Sequence, residues 1–164
     1  MTVLVTYASR HGATKGIAAA IAERLRERGR AAELRPVDAV DRLDGAEAVV
    51  LGSAVYAGSW MKGATAFVQR HREALSSLPV WLFSSGPTGS ASDQDWTPKQ
   101  IAAVSRDIGP RDHRVFFGAI DAEKLGFVER RIVKAVKAPT GDFRDWDRVR
   151  AYADEIADAL EGES

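Results

Sequence analysis

Five short apolar runs alternating with amphipathic helical stretches predict an α/β domain. The expected architecture is a three-layer sandwich: a five-stranded parallel sheet of order 2-1-3-4-5 with helices on both faces. Three observations carry that prediction. The runs at 48–53 and 80–86 are nearly continuous in apolar residues, as strands covered on both faces must be. Between the runs, apolar residues recur every three or four positions, the helical period. The first run passes straight into a helix through small, hydroxylated residues, which suits a right-handed crossover between parallel strands. At 164 residues the chain is expected to form one domain, 1–164, with a substantial core.

The elements follow in order. Val3-Leu4-Val5-Thr6-Tyr7-Ala8 is the first strand. The helix behind it places Ile17, Ile21 and Leu25 four apart and runs to about Arg28, where Gly29 is the stop. A weaker strand at 31–35 ends at Pro36, which lacks a ladder donor and fits an edge. Ala48 to Ser53 is the third strand. A helix starting near Trp60 puts Ala64, Phe67, Val68, His71 and Leu75 on one face. Val80 to Gly86 is the fourth strand. Thr97-Pro98-Lys99-Gln100 reads as a helix start, with a threonine cap, proline at the first position and glutamine three after the cap. Arg114 to Ile120 is the fifth strand, and Asp145 caps a last helix with Val149, Ala153, Ile156 and Leu160 inward.

Composition narrows the function classes. Lys plus Arg number 23 and Asp plus Glu number 23, so no global field favours nucleic acid. Cysteine is absent, which excludes disulfides, thiolate metal sites and a cysteine nucleophile. Redox chemistry would therefore need a bound cofactor. The three histidines, His11, His71 and His113, are too scattered to suggest a metal site. The chain enters a strand at once, without a charged-then-apolar leader, and lacks an apolar run of the roughly 18 residues that span a bilayer. A cytoplasmic location is expected.

The stretch that points to chemistry is Ser9-Arg10-His11-Gly12-Ala13-Thr14, between the first strand and its helix. A helix N-terminus gathers unpaired backbone N–H groups and the positive end of the helix dipole, which suits a phosphate. Ser9 and Thr14 add neutral hydroxyls, and Gly12 lets the backbone pass close to a ligand without a Cβ. The nucleotide-hydrolysing pattern G-x-x-x-x-G-K-[ST] is absent, since Ala-Thr-Lys-Gly follows Gly12. The dinucleotide pattern G-x-G-x-x-G is absent as well. Receiver domains of this fold class carry an acidic cluster here, where this chain has Ser9 and Arg10. The ordinary alternative is a plain β–α turn.

Two more strand-end loops share the same character. After the third strand come Ala54, Val55, Tyr56, Ala57 and Gly58, with small residues that leave room for a flat ring. Tyr56 or Trp60 can offer that ring an aromatic face, or else pack in the core. After the fourth come Ser84, Ser85, Gly86, Pro87, Thr88 and Gly89, able to donate backbone N–H groups to a polar ring edge. In a sheet of this order these loops and the first one lie at a common crevice.

The loop Ser9 to Thr14 resembles the S/T-x-x-G-x-T loop of the flavodoxin family, and the resemblance extends over the whole chain. Within that fold the chain is most similar to the menaquinone-dependent protoporphyrinogen oxidase type. Arg10 stands where that family has an arginine. Val50 to Gly58 resembles its third-strand motif, followed by a similar helix with Phe67-Val68. Phe117-Gly118-Ala119 and Asp145-Trp146 resemble its ending, with a cationic segment between. The loop after the fourth strand, rich in Gly, Ser and Thr, departs from that type, as does the shortage of aromatics before Asp145.

The resemblance implies a flavoprotein holding flavin mononucleotide (FMN) noncovalently. Ser9, Arg10, Gly12, Ala13 and Thr14 would hold the phosphate, and His11 in the same loop would touch it, tune the flavin or face solvent. Ala54 to Gly58 and Ser84 to Gly89 would flank the ring. The implied activity is a flavin-dependent dehydrogenase, of the protoporphyrinogen type with a quinone acceptor, without a nominated catalytic side chain. The alternatives are a flavodoxin-type electron carrier working with a redox partner protein, or a chain that takes another phosphate-bearing flavin or deazaflavin. Carriers are usually strongly acidic to steer basic partners, which the balanced charge here does not match. A last segment, 124–137, reads as an amphipathic helix with Leu125, Val128, Ile132 and Val136 on one face and Arg130, Lys134 and Lys137 on another. It suits an anionic lipid surface or an acidic substrate, or a charged face kept in water.

Overall fold

The computed structural model describes residues 2–9, 12–56, 59–86, 98, 100–117, 119–120, 141–142 and 146–162. Its main sheet is built on β1 (Thr2–Ala8), β2 (Ala32–Pro36), β3 (Ala46–Tyr56), β5 (Val80–Gly86) and β6 (Asp112–Phe117), in the order β2-β1-β3-β5-β6. Every neighbouring pair on that path is parallel. Counted as the five long strands, this is the expected 2-1-3-4-5. A two-residue strand, β4 (Ser59–Trp60), pairs antiparallel with the end of β3. The helices are α1 (Ala13–Glu27), α2 (Lys62–Arg70), α3 (Arg72–Ser76), α4 (Ile101–Ile108) and α5 (Trp146–Gly162).

Strand alternation sorts the core into two layers. Val3, Val5, Val50, Trp81 and Phe83 face α1 and α5, meeting Ile17, Ile21, Leu25, Val149, Tyr152 and Ile156. Leu4, Val49, Leu51, Val80 and Leu82 face α2, α3 and α4, meeting Phe67, Val68, Leu75, Ile101 and Val104. Gly52 belongs to the first layer because the Phe83 ring lies across it; a Cβ there would sit inside the ring. Phe116 continues this aromatic stack to Tyr152, whose hydroxyl donates to the Leu82 carbonyl at 2.8 Å. Burial holds the Tyr152 phenol far above its ordinary pKa.

The helix ends obey local chemistry. Gly29 takes φ 82° after α1, and the N–H groups of Gly29 and Arg30 return to the carbonyls of Arg26 and Leu25, a Schellman closure. Arg24 and Arg28 then bind Asp154 on α5 at 2.8 and 3.0 Å, holding its carboxyl below the usual range and fixing α1 against α5.

Four expectations are corrected. Trp60 belongs to β4, and the following helix starts at Lys62 and breaks at His71, where φ is −111° and ψ is 20°. The third strand runs from Ala46 to Tyr56, longer than 48–53, because its ends pair with β1 and with β4. The helix foreseen from Pro98 starts at Ile101, with Pro98 supplying a carbonyl to the Ile101 N–H at 3.1 Å. The strand foreseen as 114–120 divides into β6 and a separate ribbon of β7 (Ala119–Ile120) with β8 (Gly141–Asp142). Thr97, Asp145 and the 124–137 segment lie outside the described residues.

Candidate active site at the strand ends

Because the main strands are parallel, their carboxyl ends share one edge of the sheet. Ala8, Ser53, Ser84 and Val115 form a single cross-strand row there. Ser9 follows Ala8, Ala54 and Ser85 pair in the next row, and Gly86 closes β5. The edge thus gathers Ser9, Gly12, Ala13, Thr14, Ala54, Val55, Tyr56, Ser84, Ser85 and Gly86. Arg10, His11, Ala57, Gly58, Pro87, Thr88 and Gly89 lie outside the described residues.

The head of α1 is prepared for an anion. Gly12 is its N-cap with φ 87°, a left-handed conformation that L side chains resist. Ser9 Oγ accepts the Gly12 N–H at 3.0 Å, which closes the loop and leaves the serine proton to be donated. The first turn of α1 carries no acidic residue, although acids there would ordinarily complement the dipole. Thr14, one residue into the helix, is 1% exposed, and its hydroxyl has no hydrogen-bond partner among the described residues. A buried hydroxyl left so costs about 1–3 kcal/mol. A phosphate at this helix head would supply the missing acceptor. The residues present fit a phosphate-bearing cofactor.

The ring side of the edge is built differently from expectation. Trp60 is 3% exposed and packs against the α2 side of the core rather than standing open. Its indole Nε1 donates to Ser84 Oγ at 2.7 Å, and Ser84 Oγ lies 2.6 Å from His113 Nε2 on β6. The Ser84 hydroxyl is therefore engaged inside the fold. A serine beside a histidine invites a nucleophile reading, but Ser84 is fully buried and capped by the indole. Val55 likewise turns its side chain into the α2-side core, leaving its backbone to face the edge. Two further bonds hold the return from β3. Ser53 Oγ accepts the Met61 N–H and Gln100 Oε1 accepts the Trp60 N–H, each at 3.0 Å. Ser53 lies in the third-strand motif and Gln100 in the predicted helix start, but neither motif marks them as holding the return from β3, and His113 lies in no motif. The register of β3, β5 and β6 and the docking of the α4 head bring them together.

Away from this edge, a cleft of about 330 Å³ lies by the amino ends of β1 and β3, lined by Thr2, Leu4, Arg35 and residues 39–46. Its charges, Arg35 with Glu33 and Arg42 with Asp44, are of both signs. It is remote from the strand-end loops. Among the described residues, no cluster of His, Asp or Glu could hold a metal, and no helix is long and apolar enough to cross a membrane.

Comparison with known proteins agrees with this arrangement. A family model described as a flavodoxin domain matches residues 4–147. The protoporphyrinogen IX dehydrogenase (quinone) of Escherichia coli K12 is 23% identical over 173 residues, covering 96% of this chain and 95% of that protein. A solved flavodoxin from the domain Archaea superposes with a TM-score of 0.69 at 17% identity, covering 98% of this chain and 99% of its own. The rubredoxin oxygen:oxidoreductase of Desulfovibrio gigas superposes at 0.67 and 18% identity, over 98% of this chain but 36% of its own. With a match running from Leu4 to Asp147 over this strand order and these strand-end loops, the chain belongs to the flavodoxin-domain family.

Proposed function

We propose that this chain is an FMN-binding redox protein whose cofactor phosphate rests at the head of α1. Ser9 donates its hydroxyl proton, Thr14 donates the hydroxyl that otherwise has no acceptor, and Gly12 keeps the approach clear. Arg10 and His11 stand in the same loop, with the arginine supplying positive charge. Tyr56 to Gly58 and Ser85 to Gly89 flank the ring through backbone groups and small side chains. Bound FMN supplies hydride and electron chemistry, and the chain supplies position, electrostatics and exclusion of water. Within that role the chain is a dehydrogenase resembling the protoporphyrinogen type, with a quinone as electron acceptor. Whole-length similarity to the E. coli dehydrogenase supports this finer reading.

The observation that carries the cofactor assignment is the buried hydroxyl of Thr14, without a partner among the described residues, two positions after the left-handed Gly12. The test is titration of the cofactor-free chain with FMN, followed by quenching of flavin fluorescence. Saturation near one FMN per chain, weakened when Thr14 is replaced, supports the proposal. No binding at tens of micromolar FMN removes it. An FMN-loaded chain that oxidises a porphyrinogen only when a quinone is present supports the dehydrogenase reading. One that binds FMN and never turns over such a substrate is a carrier.

A further inference from the structure

We infer that Trp60, Ser84 and His113 form a positioning latch that sets the β3–β4 return against the flavin ring. The inference rests on the FMN reading above and assigns ring-side residues that no loop motif predicts. The return leg is held at three points by three elements. Trp60 Nε1 donates to Ser84 of β5, the Trp60 N–H donates to Gln100 at the head of α4, and the Met61 N–H donates to Ser53 of β3. Ser53 and Ser84 are register partners on neighbouring strands, and both are fully buried. They form a pair of fixed acceptors beneath the return.

His113 completes the arrangement through the hydrogen-bond inventory. An indole N–H can only donate, so Ser84 Oγ must accept from Trp60. Ser84 Oγ then meets His113 Nε2 at 2.6 Å, donating its proton to that nitrogen or accepting Nε2–H on its second lone pair according to the imidazole tautomer. The imidazole fixes the serine rotor, and the serine fixes the indole. Trp60 lies opposite Val55 in the β3–β4 pairing and Ser59 lies opposite Tyr56, so the latch acts one residue from the loop that flanks the ring. The hydrogen bonds that join these three side chains run among β4, β5 and β6 and not to Ser9, Gly12 or Thr14. Their contribution falls on the ring and leaves the phosphate grip alone.

The test is the double variant Trp60→Phe with Ser84→Ala, which removes the buried indole donor and its acceptor together, so that the half-buried His113 Nε2, within reach of water, is the group that loses its serine partner. FMN affinity is expected to fall roughly three- to tenfold, the size of one net hydrogen bond. The affinity ratio of FMN to riboflavin, which reports the phosphate, stays at the wild-type value, while the visible circular dichroism and midpoint potential of bound FMN shift. His113→Leu behaves like the double variant, and His113→Gln, with an amide near the Nε2 position, restores the wild-type spectrum. In the cofactor-free chain, amide exchange at Trp60 and Met61 accelerates in the double variant. Wild-type affinity and spectrum in the double variant overturn the latch while leaving the FMN reading intact, and so does a changed FMN-to-riboflavin ratio. A wild-type chain that takes no FMN overturns both.

Discussion

Thr14→Val separates a cofactor hydroxyl from an ordinary buried one. Valine keeps the shape and β-branching of threonine and replaces the partnerless Oγ1 with a methyl group at a position that is 1% exposed. In the cofactor-free chain the change relieves an unsatisfied polar group, worth about 1–3 kcal/mol. For a chain of this length each kcal/mol moves Tm by about 2–4 °C, so an increase of roughly 2–12 °C is expected. The effect on FMN binding is of the opposite sign. A hydrogen bond to a charged group is worth about 1.5–3 kcal/mol, so the variant should bind FMN roughly 10- to 150-fold more weakly. At FMN a hundredfold above the wild-type Kd, ligand stabilises wild type by about 2.7 kcal/mol and a tenfold weaker variant by about 1.4 kcal/mol. The stability gap seen without cofactor therefore narrows or inverts with it.

Thermal unfolding with and without FMN, together with a fluorescence titration, reads both numbers. Thr6→Val is the matched control. Thr6 Oγ1 is the other partnerless buried side-chain oxygen among the described residues, and it lies mid-strand on β1. That variant should gain similar stability and keep wild-type FMN affinity. Were Thr14→Val to lower Tm and leave FMN binding unchanged, the hydroxyl would have an acceptor within the chain. A phosphate at the head of α1 would then lose its support.

Three further outcomes test the fold around the site. Gly52→Ala drives a Cβ into the buried Phe83 ring and should destabilise by about 1–3 kcal/mol or more, read as a lower urea midpoint; an unchanged midpoint would mean the ring can move aside. Tyr152→Phe deletes the bond to the Leu82 carbonyl and should cost about 1 kcal/mol. Alkaline absorbance titration should show the Tyr152 phenol failing to ionise until the chain unfolds, and that silence should vanish in the variant. His71 is held below its ordinary pKa of 6.5, by burial first and by Arg70 second. The unfolded chain therefore takes a proton at His71 before the folded chain does, so stability is full above pH 6.5 and falls as pH drops toward the lowered folded value. His71→Phe should flatten that portion of the urea-midpoint profile, and an identical slope in the variant would count against it.

Much of the fold was legible because it rests on patterns of period 2 and 3.6. Ile17, Ile21 and Leu25, and Val149, Ala153, Ile156 and Leu160, are buried as their spacing requires. Pro36 does end an edge strand, where its missing N–H leaves no gap in the ladder. The misplaced boundaries have a common physical cause. A hydrophobic pattern reports burial, and burial continues past the point where one kind of hydrogen bonding gives way to another. Trp60 satisfies the pattern of the helix that follows it, yet its backbone pairs with Val55, and its N–H goes to Gln100 instead of starting a helix. Pro98 is buried like a first-turn residue but stands outside α4.

The phosphate side and the ring side of the site differ in legibility for the same reason. Ser9, Gly12 and Thr14 lie within six consecutive residues, so a local motif contains the whole device: a strand end, a left-handed glycine and a helix head. The ring side is assembled from Ser53, Trp60, Ser84, Gln100 and His113, which meet only when β3, β5 and β6 take their register. A one-residue slip of β5 would turn Ser84 to the opposite face of the sheet and leave Trp60 Nε1 without its acceptor. The register is held elsewhere, by Phe83 lying over Gly52 and by Tyr152 bonding Leu82. Core packing on one face of the sheet thus decides whether the polar latch on the other face can form. A substitution such as Gly52→Ala should consequently disturb the ring side of the site before it disturbs the phosphate loop, whose parts are consecutive in the chain.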